Sequence, residues 1–217
     1  MAGRGSRGLA LVAAGAAIWG SDALLRRGLA IELSAPVVVF GEHLILALVT
    51  LPIAIKAIRR RPRFRLRDSV ALLFVGAGAS ALATVLFTRA FTYGDPTTPL
   101  LLQKLQPLFV LPVAHLLLRE RLTPNFAVFF SLGITGAYLI SFPDPSSVTV
   151  DSAIAATLAV SAAFLWAMGT ILGRHLSSLL TFTELTALRF LVGLPASAVI
   201  LLIVGDSATM ASLTSSD

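Results

Sequence analysis

Residues 16–20 read A-A-I-W-G, and residues 163–167 read A-F-L-W-A. These stretches carry the only two tryptophans of the 217-residue chain, Trp19 and Trp166, which stand 147 positions apart. The same offset lays Arg27 over Arg174, Glu42 over Arg189 and Thr50 over Ser197. Uncommon residues that share one offset mark an internal repeat. Five apolar spans separate the start of one copy from the start of the next, so the copies enter the membrane in opposite senses. Inverted repeats are a recurring architecture of secondary transporters, with substrate held near the midplane between the halves.

The composition points to the same class. The chain is 56% hydrophobic and 13% charged, too apolar for an ordinary soluble domain. Runs of the length a helix needs to cross about 30 Å of hydrocarbon recur throughout. Seven spans are predicted: 9–31, 35–56, 69–91, 97–118, 125–142, 152–173 and 183–204. The fold class is an all-α polytopic membrane protein. No alternating segments of about ten residues suggest a barrel. The chain has no cysteine, which excludes disulfides and thiolate chemistry. The first span has a basic start and an apolar core like a secretory signal; the repeat favours its retention as a helix.

Arginines set the expected orientation. Residues 56–68, K-A-I-R-R-R-P-R-F-R-L-R-D, hold Lys56 and six arginines. With Arg4, Arg7, Arg119, Arg121 and Arg174 they fall on one side of the spans, while Glu32, Asp95, Asp144, Asp151, Asp206 and Asp217 fall on the other. The positive-inside rule then puts the N-terminus in the cytoplasm, and a bacterial inner membrane is the expected location. The basic segment reads as a topology determinant at the lipid headgroups. Contact with anionic lipid or nucleic acid is the alternative for residues 56–68, and nucleic acid is not expected as a partner.

Several stretches resemble the EamA-type repeat of the drug/metabolite transporter superfamily. They are A-A-I-W-G-S (16–21), G-A-G-A-S-A-L-A (76–83), A-F-T-Y-G-D-P-T-T-P-L-L-L (90–102), G-I-T-G-A-Y-L-I (133–140) and, most specifically, Q-P-L-F-V-L-P-V-A-H-L-L-L-R-E-R-L-T (106–123). The last is similar to the family's proline-plus-aromatic stretch followed by a Gly-Glu-Arg-Leu signature, with Arg119 in place of the glycine. The resemblance implies ten helices in two inverted five-helix repeats. It divides the chain into a first repeat at 1–142, an external linker at 143–151, and the start of a second repeat at 152–217. On that reading three helices of the second repeat are missing, so the chain is a truncated product or a fragment that needs a partner. Glu42-His43 stand where an arginine is common in the family, and Arg189 keeps that arginine in the second copy.

Charges in hydrocarbon cost about 2.5–3.5 kcal/mol each on insertion scales, so those deep in a span face a cavity or one another. Asp22, Glu42, His43, Lys104 and Arg189 are the deep candidates. Arg26, Arg27 and Arg89 lie nearer span ends, where their stems can snorkel. Lys104, flanked by Gln103 and Gln106, shares a helical face with Leu108, Leu111 and His115. Pro107 is expected to kink that helix, and Lys104 to line a cavity; pairing with Glu42 or Asp22 is the alternative. Asp22 is placed to couple protons, to hold a substrate amine, or to pair with Arg26 at i+4. Of the adjacent Glu42 and His43, Glu42 is expected to face the pore. Trp19 and Trp166 either stack on substrate or fill the core between repeats. The small-residue rows Gly76-Ser80-Thr84-Thr88, Gly133-Ala137 and Ala155-Ala159-Ala163 read as helix-packing stripes. Three scattered histidines make no metal motif, and no cofactor is expected.

The expected function is a secondary transporter, an exporter by resemblance, of a small polar metabolite such as an amino acid. Protons are the candidate coupling ion, and a homodimer is one way an incomplete repeat pair could close its cavity. A non-transporting membrane subunit is the alternative. A seven-helix receptor fits badly, because span 7 has no lysine and the N-terminus is inside. No catalytic motif supports an enzyme.

Overall fold

A computed structural model of the chain describes residues 2–60, 63–93, 95–119, 124–142, 144 and 149–205. Most of the linker, the tail from 206, and Glu120 and Arg121 lie outside the described residues. Every element is helical, with no strand among the described residues. The helices are α1 (Ala2–Leu33), α2 (Ala35–Arg59), α3 (Leu66–Ala90), α4 (Thr97–Leu102), α5 (Gln106–Leu118), α6 (Phe126–Ser141), α7 (Val150–Leu176) and α8 (Phe182–Ile200). Five of them, α1, α2, α3, α7 and α8, are long and apolar enough to cross a membrane. The protein is a multi-pass integral membrane protein.

The helix ends follow local chemistry. Helix α3 begins three residues before the expected span because the Asp68 carboxylate accepts the Arg65 backbone N–H at 2.8 Å, tying down the first turn. The Thr181 hydroxyl and the Glu184 carboxylate form a reciprocal capping box on α8, with the carboxylate accepting Thr181 N–H at 2.8 Å. Arg119 ends α5 in the left-handed region, at φ 56°. That conformation costs an L-residue about 1–2 kcal/mol, which explains why glycine suits the position. A nine-residue π-helical stretch, Phe74–Leu82, interrupts α3.

Helices α2, α3, α7 and α8 form the core. Their backbones approach closely where residues are small, because lipid supplies no hydrophobic drive for helix association. Ala155, Ala159 and Ala163 of α7 are fully buried. A Cβ added at Gly76 would stand 2.6 Å from Val192, and one at Gly169 would collide with Ala79. These rows behave as the sequence suggests, with an exception in α3 described below.

Ion pairs fasten one end of the bundle. Arg60 donates to the Leu179 carbonyl at 2.7 Å and pairs with Glu184 at 3.2 Å. His175 Nε2 lies 2.7 Å from Asp68, whose side chain is only 4% exposed. The α2–α3 connection is thereby tied to the α7–α8 turn.

Candidate functional site

Polar side chains from five long helices and α5 converge on one cavity of about 580 Å³. That is within the usual range for a small-molecule site. Helix α1 turns Trp19, Asp22 and Arg26 to it, residues three and four apart that share one helical face. Helix α2 contributes Glu42 and His43, α5 contributes Gln106, α7 contributes Trp166 and Thr170, and α8 contributes Arg189 and Phe190. The π-helical part of α3 supplies Ala79 and Ser80. Such stretches shift the helical phase and recur at functional sites.

Arg26 holds the charges together. Its Nε donates to Asp22 at 2.6 Å, its Nη2 to Glu42 at 2.8 Å and its Nη1 to the Thr88 hydroxyl at 2.7 Å. The residue is only 8% exposed. The snorkelling expected for Arg26 is therefore overturned: a guanidinium fork that reaches two carboxylates and a hydroxyl inside the bundle has no reason to seek the headgroups. The local Asp22–Arg26 pair weighed in the sequence is present, with Glu42 as its third member.

His43 is buried at 2% exposure. Its Nδ1 lies 2.9 Å from the Val39 carbonyl, which can only accept, so Nδ1 carries a proton. Nε2, 3.1 Å from the Ser80 hydroxyl, then accepts from it in the neutral ring. Glu42 and His43 both line the cavity, whereas only Glu42 was expected to. The long glutamate side chain reaches Arg26, and the imidazole turns toward α3. Arg189 differs from Arg26: its guanidinium stacks on the Phe190 ring at 4.7 Å, and its buried Nε has no hydrogen-bond partner.

Aromatic rings wall one side. Trp19 and Trp166 meet edge to face with centroids 6.4 Å apart, and Phe87 packs 5.1 Å from Trp166. Trp19 is 58% exposed and marks the open side among the described residues.

Lys104 does not join the group. It is exposed, as are Leu111 and His115, whereas Leu108, the fourth member of the stripe drawn from the sequence, is partly buried against the cluster that holds Leu102, Leu105 and Ala159. Asp22 and Glu42 are taken by Arg26 instead. The physical reason is the 3-10 turn Gln103–Leu105, which separates α4 from α5 and changes the rotation per residue. Gln103 is buried and donates to the Leu100 carbonyl at 3.2 Å, within its own turn. Gln106 lines the cavity and donates to Thr170 at 3.0 Å. Pro107 stands in the first turn of α5 rather than kinking a helix interior. Arg26, Ser80, Thr84, Thr88 and Thr170 were missed as site residues. The row Ser80-Thr84-Thr88 was visible as a stripe, but its hydroxyls serve the site as well as the packing.

Residues 6–142 match the sequence pattern of the EamA-like transporter family. The chain belongs to that family. This EamA-like chain is also similar to the riboflavin transporter ImpX of Fusobacterium nucleatum subsp. nucleatum, being 28% identical over 193 residues. The match covers 86% of the chain and 64% of the relative, so the chain spans under two thirds of that relative's length. No solved structure matches the chain.

Proposed function

We propose that this EamA-like protein is a secondary-active transporter that moves a small polar metabolite by alternating access, with the cavity as its substrate site. The observation that carries this reading is the cavity of about 580 Å³, charged and aromatic, enclosed by helices that otherwise present apolar surface. Ionisable groups inside a membrane are costly and are kept where a solute path needs them. The proposed organisation is one repeat at 1–142, a linker at 143–151 and the start of an inverted second repeat at 152–217.

Geometry supports the inversion. His43 neighbours Gly193 while Arg60 neighbours Glu184, so α2 and α8 run antiparallel. Two pairs of residues 147 positions apart touch each other, Trp19 with Trp166 and His43 with Phe190, the second at 5.8 Å. Under two-fold symmetry only residues near the axis contact their own counterparts, so these pairs sit where an axis is expected.

The substrate reading follows the aromatic wall. A planar ring stacks well on tryptophan and phenylalanine, and the relative's name makes a flavin the first compound to test. An amino acid with a ring is the second. Asp22 and Glu42 are the proposed proton-coupling groups, and the N-terminus is placed in the cytoplasm of a bacterial inner membrane. The test is counterflow of labelled riboflavin and aromatic amino acids into proteoliposomes holding the full chain. Saturable flux that drops at least about tenfold in Trp166→Ala is expected. No flux of any compound, with the protein inserted and folded, would sink transport by this chain.

A further inference from the structure

We infer that Arg189 is the docking group for an anionic part of the substrate, a carboxylate or phosphate, and so sets the cavity's charge selectivity. This inference rests on the cavity being the substrate site and adds what that site selects. Four charged residues line the cavity: Asp22, Glu42, Arg26 and Arg189. Formally they balance, but their bonds do not. Both carboxylates are engaged by Arg26, with Asp22 accepting at 2.6 and 3.1 Å and Glu42 at 2.8 Å. The Arg26 fork is completed by Thr88. Arg189 is left with the Phe190 ring face and a buried Nε that no acceptor satisfies, the only such side-chain atom among the described residues.

A buried donor without a partner costs the protein its full desolvation, and an unpaired guanidinium costs more. Such a group is retained where a ligand completes it. Guanidinium matches carboxylate and phosphate in a two-point fork, and a contact of the guanidinium carbon with the Phe190 ring does not consume its N–H donors. His43 stays compatible with an anion beside it: its Nε2 already faces Ser80, and its Nδ1 proton is spent on Val39. A substrate with a planar body and an acidic end would lay the body against Trp19, Trp166 and Phe87 and turn the acid toward α8.

The two tryptophans are the only ones in the chain, and both line the cavity, so tryptophan fluorescence reports on this site alone. The experiment titrates the detergent-purified full chain with two matched pairs. Riboflavin 5′-phosphate is set against riboflavin, and N-acetylphenylalanine against its carboxamide. Expected is saturable quenching with the anionic member of a pair bound about tenfold or more tightly. Arg189→Gln should abolish that preference while keeping the neutral member's affinity, and Arg189→Lys should restore part of it. In the absence of ligand, Arg189→Gln should unfold at the same temperature as the parent or a higher one, since it removes an unpaired charge. Equal affinities within each pair that binds, or an anion preference that survives Arg189→Gln, would overturn the inference and leave the cavity's role standing. A lower unfolding temperature for Arg189→Gln would also overturn it, by showing that the guanidinium serves the fold. Absence of quenching by all four compounds would count against the cavity as the substrate site, and the inference would fall with it.

Discussion

Helices α1–α2 and α7–α8, counterparts in the proposed repeat, spend their polar residues differently. Position by position at the 147-residue offset, Asp22 corresponds to Gly169, Arg26 to Gly173, Glu42 to Arg189 and Leu46 to Gly193. The first pair of helices carries a closed charge cluster; the second carries glycines and one unsatisfied cation. Where Asp22 projects a carboxylate, Gly169 lets α7 approach Ala79. The N-caps differ as well. Ser34 turns the chain between α1 and α2 in a single residue at φ 65°, with no side-chain cap, whereas its counterpart Thr181 makes a capping box. Under the proposed repeat, one pair of helices is saturated while its counterpart keeps a buried donor without a partner.

The largest expected effect breaks the saturated half. Arg26→Met should leave Asp22 and Glu42 without their shared partner. Removing one member of a buried pair costs ~3–5 kcal/mol; with the two carboxylates 40% and 33% exposed, the lower end, about 3 kcal/mol, is expected. A large drop in thermal midpoint in detergent would register it. An unchanged midpoint would show that the cluster carries no stability.

Gly193→Ala attacks the close-packed half next. The new Cβ would lie 2.6 Å from His43 and 3.1 Å from the Gly76 carbonyl. Overpacking of this kind costs about 1–3 kcal/mol. Gly173→Ala is the matched control, since its Cβ would meet only Leu185 at an ordinary 3.6 Å. It should be neutral or slightly stabilising by helix propensity. If both variants unfold alike, glycine is not there to admit a neighbouring helix.

The caps give the smallest effects, with opposite signs. Thr181→Ala should destabilise by about 1 kcal/mol through loss of the α8 cap. Ser34→Gly should stabilise by about 0.5–1 kcal/mol, because glycine adopts the positive φ without steric cost. Thermal midpoints measured side by side would reveal the divergence; movement in the same direction would contradict the assigned cap geometries.

The sequence made five of the seven expected spans legible as long helices, because hydrophobic length survives projection onto one dimension; span 97–118 is instead broken at Gln103–Leu105, and the helix in span 125–142 is shorter. The sequence could not reveal radial direction. Arg26 near a span end reads equally well as a snorkelling or an inward-facing residue, and only its neighbours Glu42 and Thr88 decide. Lys104 was misjudged because a 3-10 turn at Gln103–Leu105 upset a face count that assumed a continuous α-helix. The π stretch in α3 likewise hid the role of Ser80, which looked like one more small packing residue. Errors of this kind gather where helices depart from 3.6 residues per turn, and both departures lie beside the cavity or on a helix that lines it.

The stitched end of the bundle has a mechanical consequence. Arg60 holds Leu179 and Glu184, and Asp68 holds His175, so the rocking proposed for α7–α8 against α2–α3 would pivot there. Glu42 lies eighteen residues along α2 from that pivot, roughly 27 Å at helical rise. A swing of about 10° would carry it through roughly 5 Å, enough to part or close the walls around a bound solute. Under the proposed alternating access, the arginine-rich end would be the joint about which Glu42 swings.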